Sequence, residues 1–316
     1  LDKENLPRAT EEEMENQIEK DLLEAAAELP VEPLEYGRAD KGAAYGLLCE
    51  FYLNTKDWQN AADMANTIIE MDRYRLLPNY ADVFAIDNEG NDELIWTLPR
   101  TAPSQWGNSG QWITAITYPP DYPFPESNQF AFGAKTYFFD DFLDSFDEND
   151  ERGNLFVRSY EPTSGEGTIQ LYGNDKSFPA KYPFDPAASQ GAHGNDMPEV
   201  RYSDVLLSRA EALNEMNCPN QESIDLINQV KERAGAPLLE LSDFPDKASL
   251  NAAILQEREW EFWGEAKWRQ DQIRHGVFIS RALERGKVNA KPYHVRFPIP
   301  LDEVNANDAL EQTEGY

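Results

Sequence analysis

The stretch "GRADKGAAYGLLCEFYLNTKDWQNAADMANTIIE", residues 37–70, decides the fold. Residues 41–54 carry Ala44, Leu47, Leu48, Phe51 and Tyr52 at helical spacing, and residues 58–71 carry Ala61, Ala62, Ala65, Ile68 and Ile69 on one face. The break at Thr55-Lys56-Asp57 joins them into a helix–turn–helix pair of tetratricopeptide character. Upstream, Thr10 with Glu13 forms a capping box, and the helix it starts stops near Leu29-Pro30, because a residue before proline disfavours the α region. Far downstream a second pair follows: residues 202–216 with Val205, Leu206, Ala210 and Leu213, then residues 222–234 with Ile224, Ile227 and Val230. The doublets Leu47-Leu48 and Leu206-Leu207 fall at comparable places. Each repeat of a solenoid stacks on a neighbour, so two pairs so far apart predict further helical material between or upstream of them.

Between the pairs the composition changes. Residues 98–199 are rich in proline, glycine, serine and aromatics, as in "PRTAPSQWGNSGQWITAITYPPDYPFPES", residues 99–127. A helical island is expected at 134–146 and short strands at 93–99 and 167–173. A long irregular segment in a compact protein is usually functional. Trp106, Trp112, Tyr118, Tyr122 and Phe124 alternate there with Gln105, Asn108, Ser109, Gln111 and Asn128. Pyranose faces are apolar C–H surfaces that stack on aromatic rings, and neutral amides satisfy hydroxyls in either direction. Trp106, Trp112, Tyr118 and Tyr122 are therefore the candidates for sugar stacking, with Asn108 and Gln111 for hydrogen bonding. The competing reading is that these rings anchor the loop to the core.

Composition narrows the function classes. With 28 Lys+Arg against 58 Asp+Glu the formal charge is −30, which repels nucleic acid and anionic headgroups. No run approaches the roughly 20 apolar residues of a membrane span. Cys49 sits in an apolar helical run and Cys218 in a helix-to-helix turn, so no disulfide framework is expected. His193, His275 and His294 are scattered and there is no C-x-x-C, which argues against structural zinc. The acidic stretch 140–152, "DDFLDSFDENDER", lacks the glycine-containing loop of an EF-hand and reads as a solvated charged face. Residues 87–93, "DNEGNDE", read as a turn. No cofactor is implied, and no G-x-S-x-G, P-loop or H-E-x-x-H occurs.

The tryptophan-rich stretch "QEREWEFWGEAKWRQDQIRHG", residues 256–276, reads as one helix. Leu255, Phe262, Ala266 and Ile273 fall on one stripe, expected to be buried. Glu257, Glu261 and Glu265 form a ridge at i, i+4, i+8, where like charges repel unless cations relieve them. Arg258, Arg269 and Arg274 are near enough in sequence to do so. An acid–base pair needs environments that separate two pKa values, whereas this pattern reads as an ion-pair network. Trp260, Trp263 and Trp268 do not share a face, so they form no sugar platform.

Taken in order, these segments resemble the SusD/RagB family, outer-membrane nutrient-binding lipoproteins of Bacteroidetes. The resemblance runs through "DLLEAAAELP", residues 37–70, "YRLLPNYADVF", "DELIW", "DENDER" with Glu151 where the family has proline, "RYSDVLLSRAEALNE", "INQVKERAGAP", the Glu257-Arg258, Glu261, Glu265, "RQD", Arg274, Gly276 series, and "FPIPLDEVNANDALEQTEGY". Two departures stand out: Ala266 where the family usually has glycine, and "EQTEGY" in place of a Gln-Asn-Pro-Gly-Tyr ending. The resemblance implies a mainly α, SusD-like single domain over 1–316. It would comprise a tetratricopeptide-like helical region at 1–97, a loop-rich ligand-binding insert at 98–199, and tetratricopeptide-like and family-signature helices at 200–316. It also implies a signal peptide, an anchoring cysteine and further helices upstream, so the chain reads as an N-terminally truncated fragment; neither Cys49 nor Cys218 fits the anchor. The expected function is non-catalytic capture of an oligosaccharide or polysaccharide by a protein lipid-anchored at the cell outer membrane. Import would proceed through a SusC-like TonB-dependent transporter. The alternatives are a glycoside-cleaving enzyme using a carboxylate pair and a helical scaffold without glycan affinity.

Overall fold

The computed structural model describes residues 5–102, 110–133, 136–188 and 191–316. Helix α1 (Glu11–Glu28) starts at Thr10, whose hydroxyl accepts from the Glu13 amide at 3.1 Å while Glu13 accepts from the Thr10 amide at 2.8 Å. Helices α2 (Lys41–Thr55) and α3 (Trp58–Glu70) start at Asp40 and Asp57, each carboxylate accepting from an amide three residues on. Lys56, in the left-handed conformation, ends α2 and makes the sharp turn into α3. Both cysteines are free, Cys49 buried and Cys218 exposed.

The second pair is α6 (Tyr202–Asn217) and α7 (Gln221–Arg233), followed by α8 (Lys247–Phe262), which packs on both. Of the two places where further helical material was expected, the one between the pairs is not filled, since the pairs touch. Helix α6 lies directly on α3 and also touches α2. Ala212 of α6 joins Leu48, Tyr52, Ala61 and Ala62 in one buried cluster, and Val205 joins Cys49, Ala65 and Ile68 in another. The repeats are neighbours in space although residues 71–201 intervene.

That intervening chain is pinned at its neck. Strand β1 (Leu94–Leu98) pairs antiparallel with β6 (Met197–Arg201), Leu94 opposite Arg201 and Leu98 opposite Met197, with a register irregularity on either side of Trp96. Inside the segment are the short helices α4 (Ile113–Thr117) and α5 (Asp140–Leu143). Two further ribbons complete it, β2 (Phe156–Val157) with β5 (Phe178–Pro179) and β3 (Ser159–Tyr160) with β4 (Ile169–Gln170). Among the described residues of the helical island expected at 134–146 the α-helical part is α5, and Phe138 ahead of it is bridged to Ser177, donating to its carbonyl at 2.9 Å.

The tryptophan-rich stretch is not one helix. Helix α8 ends at Phe262, and the chain turns through Gly264 (φ +78°) and Ala266 (φ +63°) before α9 (Trp268–Arg274) begins. Positive φ is incompatible with a continuing right-handed helix. Leu255 and Phe262 are buried as expected, but beyond the turn the helical wheel no longer applies: Ala266 is exposed and Ile273 half-buried. Helices α10 (Phe278–Glu284) and α11 (Leu301–Ala306) complete the chain.

Candidate functional site

Behind the insert lies a buried ion lattice. Arg152 bonds Asp150 and Glu257, both at 2.7 Å, and Glu261 at 3.1 Å. Arg201 reaches Glu93 at 2.6 Å, Glu265 at 2.7 Å and Glu261 at 2.9 Å. Arg233 bridges Glu93 and Glu261, Lys231 pairs with Glu257, and Lys181 pairs with Glu265. Five cations thus face five carboxylates. The ridge glutamates are relieved as a network, but by different cations from those near in sequence. Arg258 and Arg274 serve a second cluster with Asp204, Asp271 and Glu211, and Arg269 donates to the Val295 carbonyl. The acidic stretch 140–152 is correspondingly not all solvated: Asp150 and Arg152 are buried in the lattice, while Asp141, Asp144 and Asp147 stay exposed.

Electrostatics follow from enclosure. Burial works to raise the pKa of Glu261, but Arg233, Arg201 and Arg152 outweigh it and hold the carboxyl below its ordinary range. Burial pushes the Lys181 ammonium down to about 8 against the pull of Glu265. Its head also sits among ring faces, 4.6 Å from the Phe84 centroid and 4.8 Å from Trp263. Such shifts mark either a reaction centre or a structural network. Here every ridge glutamate is committed to cations and buried, so the ridge itself offers no free acid–base pair.

The insert's outer face is different. Trp112 precedes α4 and stacks on Phe132, with centroids 5.7 Å apart and planes at 19°. Phe132 is placed by its amide donating to Ala115 of α4 at 2.7 Å, and its ring is 55% exposed. Gly191 packs behind the pair; a Cβ there would stand 2.7 Å from the Ala115 methyl and 3.3 Å from the Trp112 ring. Ile116, also exposed, extends the apolar face.

The predicted site residues divide. Tyr118 is 4% exposed, enclosed by Tyr122, Phe124, Phe178 and Phe184, and donates to the Pro179 carbonyl at 3.0 Å. Its ring offers no face to a sugar in this structure, and burial pushes its hydroxyl pKa up. Tyr122 lies on the rim of that cluster, 4.8 Å from Tyr118, half-buried. Gln111 is buried. Its backbone exchanges two hydrogen bonds with His193, its amide nitrogen donates to Asn195 at 3.1 Å, and its amide oxygen accepts from Ile113 at 2.6 Å. Both ends of that side chain are occupied, so it positions Trp112 from within. Trp106 and Asn108 lie outside the described residues. Trp112 is therefore not gathered with the tyrosines but paired with Phe132, which sequence reasoning passed over. The signal was the alternation in Gln129-Phe130-Ala131-Phe132, where Gln129 and Ala131 point inward.

The sequence model of the SusD family matches residues 146–316. A SusD-like protein of Formosa agariphila is 31% identical, aligned over 98% of this chain and 65% of its own length. The starch-binding protein SusD of Bacteroides thetaiotaomicron is 22% identical over 96% of this chain and 65% of its own. This chain thus spans about two thirds of the length of those relatives, or 65%. Among solved structures, a SusD superfamily protein from Parabacteroides distasonis superposes with a TM-score of 0.80 at 22% identity, covering 100% of this chain and 72% of that one. Surface glycan-binding protein A from Bacteroides thetaiotaomicron, in complex with laminarihexaose, superposes at 0.79 and 22% identity, covering 97% of this chain and 72% of that one.

Proposed function

The chain belongs to the SusD/RagB family, and from that premise we propose that it binds oligosaccharide or polysaccharide without cleaving it. The observation that carries the reading is the Trp112–Phe132 pair, two stacked rings of which Phe132 is exposed, set in place by Gln111, Gly191 and α4. A pre-organised aromatic face pays little ordering entropy when a pyranose stacks on it. The laminarihexaose complex of a structural neighbour supports the ligand class. Binding rather than hydrolysis is favoured because Glu257, Glu261 and Glu265 are all locked in ion pairs. The insert 98–199 is the ligand-facing part in this reading, with Tyr122 at its rim and Trp106 and Asn108 as further contacts. Gln111 supports the Trp112–Phe132 face from behind, while Tyr118 holds the neighbouring cluster that carries Tyr122.

The finer reading follows family membership: a lipid-anchored protein at the outer-membrane surface that hands glycan to a SusC-like TonB-dependent transporter. No helix among the described residues is long and apolar enough to cross a membrane. Calorimetry against a panel of algal and plant polysaccharides tests the binding. Replacing Trp112 and Phe132 together by alanine should weaken glycan affinity by at least about tenfold, on the order of 1.4 kcal/mol. Full affinity in that variant would remove the site.

A further inference from the structure

The basic residues of this chain are outnumbered about two to one, and most buried ones are paired. One region breaks that pattern. Between Asp271 and Asp302 the only acidic residue is Glu284, against Arg274, Arg281, Arg285, Lys287, Lys291 and Arg296. Beside α10 this segment forms an open cleft of about 560 Å³ with no Asp or Glu side chain among its described lining residues. Its rings are Phe278, Phe297 and Tyr316, and its cations Arg269, Lys287 and Arg296.

None of those three cations makes an ion pair among the described residues; Arg269 instead donates to the Val295 carbonyl at 2.9 Å. On the opposite side of α10 the contrast is plain, since Arg281 is paired with Glu259 and Arg285 with Asp141. The Arg269 guanidinium lies 5.2 Å from the Phe278 centroid and 4.4 Å from that of Phe297. It thereby steadies Phe297, which is otherwise 72% exposed. Tyr316 is held in turn by its hydroxyl donating to the Arg296 carbonyl at 2.9 Å and by ring contact with Tyr293.

We propose that this cleft is a second carbohydrate site, specific for an anionic sugar unit bearing a uronate or a sulfate ester. The rings supply C–H stacking, and the unpaired cations supply charge-assisted bonds to the acidic substituent. A neutral sugar would leave the cations unused. A polyanion is repelled by the −30 net charge and is drawn to a cleft lined by three cations without ion-pair partners among the described residues. The site is separate from the Trp112–Phe132 face; it rests on the glycan-binding reading only for the polymeric class of its ligand.

The test is calorimetry on the full chain with three probes: oligogalacturonate, a sulfated galactan oligosaccharide, and a neutral laminari-oligosaccharide. At least one anionic probe should bind, and affinity should fall as NaCl rises from about 50 to about 500 mM. Lys287→Ala with Arg296→Ala, and separately Phe297→Ala, should weaken that probe by at least about tenfold. Neutral-probe binding and melting temperature should not change, since all three residues are exposed. Whichever anionic probe binds distinguishes uronate from sulfate. Absence of binding to both, or full binding by the variants, overturns the site. So does sedimentation showing that the cleft variants only abolish self-association, which would make it a protein contact. Loss of neutral binding alone, with anionic binding intact, would instead count against the Trp112–Phe132 reading.

Discussion

Arg201 stands at the end of β6, fully enclosed, with its guanidinium shared among Glu93, Glu261 and Glu265. Removing one partner of a buried network leaves uncompensated charge in a low-dielectric interior, so Arg201→Met should cost about 3–5 kcal/mol by chemical denaturation. Arg201→Lys should recover only part of it, because an ammonium cannot span three carboxylates as the planar fork does. The lattice also sets the acid limit. Burial raises the carboxyls of Glu261 and Glu211, but their arginines more than offset it, so both end below the ordinary value of 4.5. A depressed folded pKa gives stability that is complete above the unfolded value and is lost as pH falls through the folded one. Glu50 runs the other way: burial lifts it to about 7 against Lys267, so its contribution is complete below 4.5 and lost as pH rises through about 7. Self-repulsion of the −30 surface also eases on acidification. Calorimetric melting temperature should therefore peak at about pH 5, declining towards about pH 7 and falling steeply below about pH 4.5.

At the scale of elements, the turn between α8 and α9 explains a sequence oddity. Ala266 adopts φ +63° in the open, where an L residue is strained and glycine is not. Ala266→Gly should raise stability by about 0.5–1 kcal/mol, the relief of left-handed strain less the added entropy of the unfolded chain, checked by thermal melting. The same turn shows where sequence legibility ended. Caps such as Thr10 with Glu13 were readable because donor and acceptor lie within four residues, and the helical pairs because their apolar faces repeat at a fixed period. The break after Phe262 was not, since only Gly264 hinted at it and Ala266 argued against it. The lattice was half legible. Its acids sit on one ridge, but Arg152 meets Glu257 across 105 residues of chain, a pairing no local pattern encodes. In the insert, aromatic content pointed to a face for ligand, yet which rings turn outward depended on contacts such as Tyr118 to Pro179 across 61 residues.

For the molecule as a whole, the direct seating of α6 on α3 has a consequence in time. A ribosome finishes the first helical pair long before it makes the second. At roughly 5–20 residues per second, residues 71–201 occupy it for on the order of ten seconds. Throughout that interval Ala61, Ala65 and Ile68 have no Val205 or Ala212 to cover them. The lattice waits longer still, because Arg152 and Arg201 emerge before Glu257, Glu261 and Glu265 exist. Native packing of the first pair thus closes only after the second has been made, so a chain stopped at residue 201 should leave the α2–α3 face open to protease, checked by limited proteolysis of the truncated and full chains.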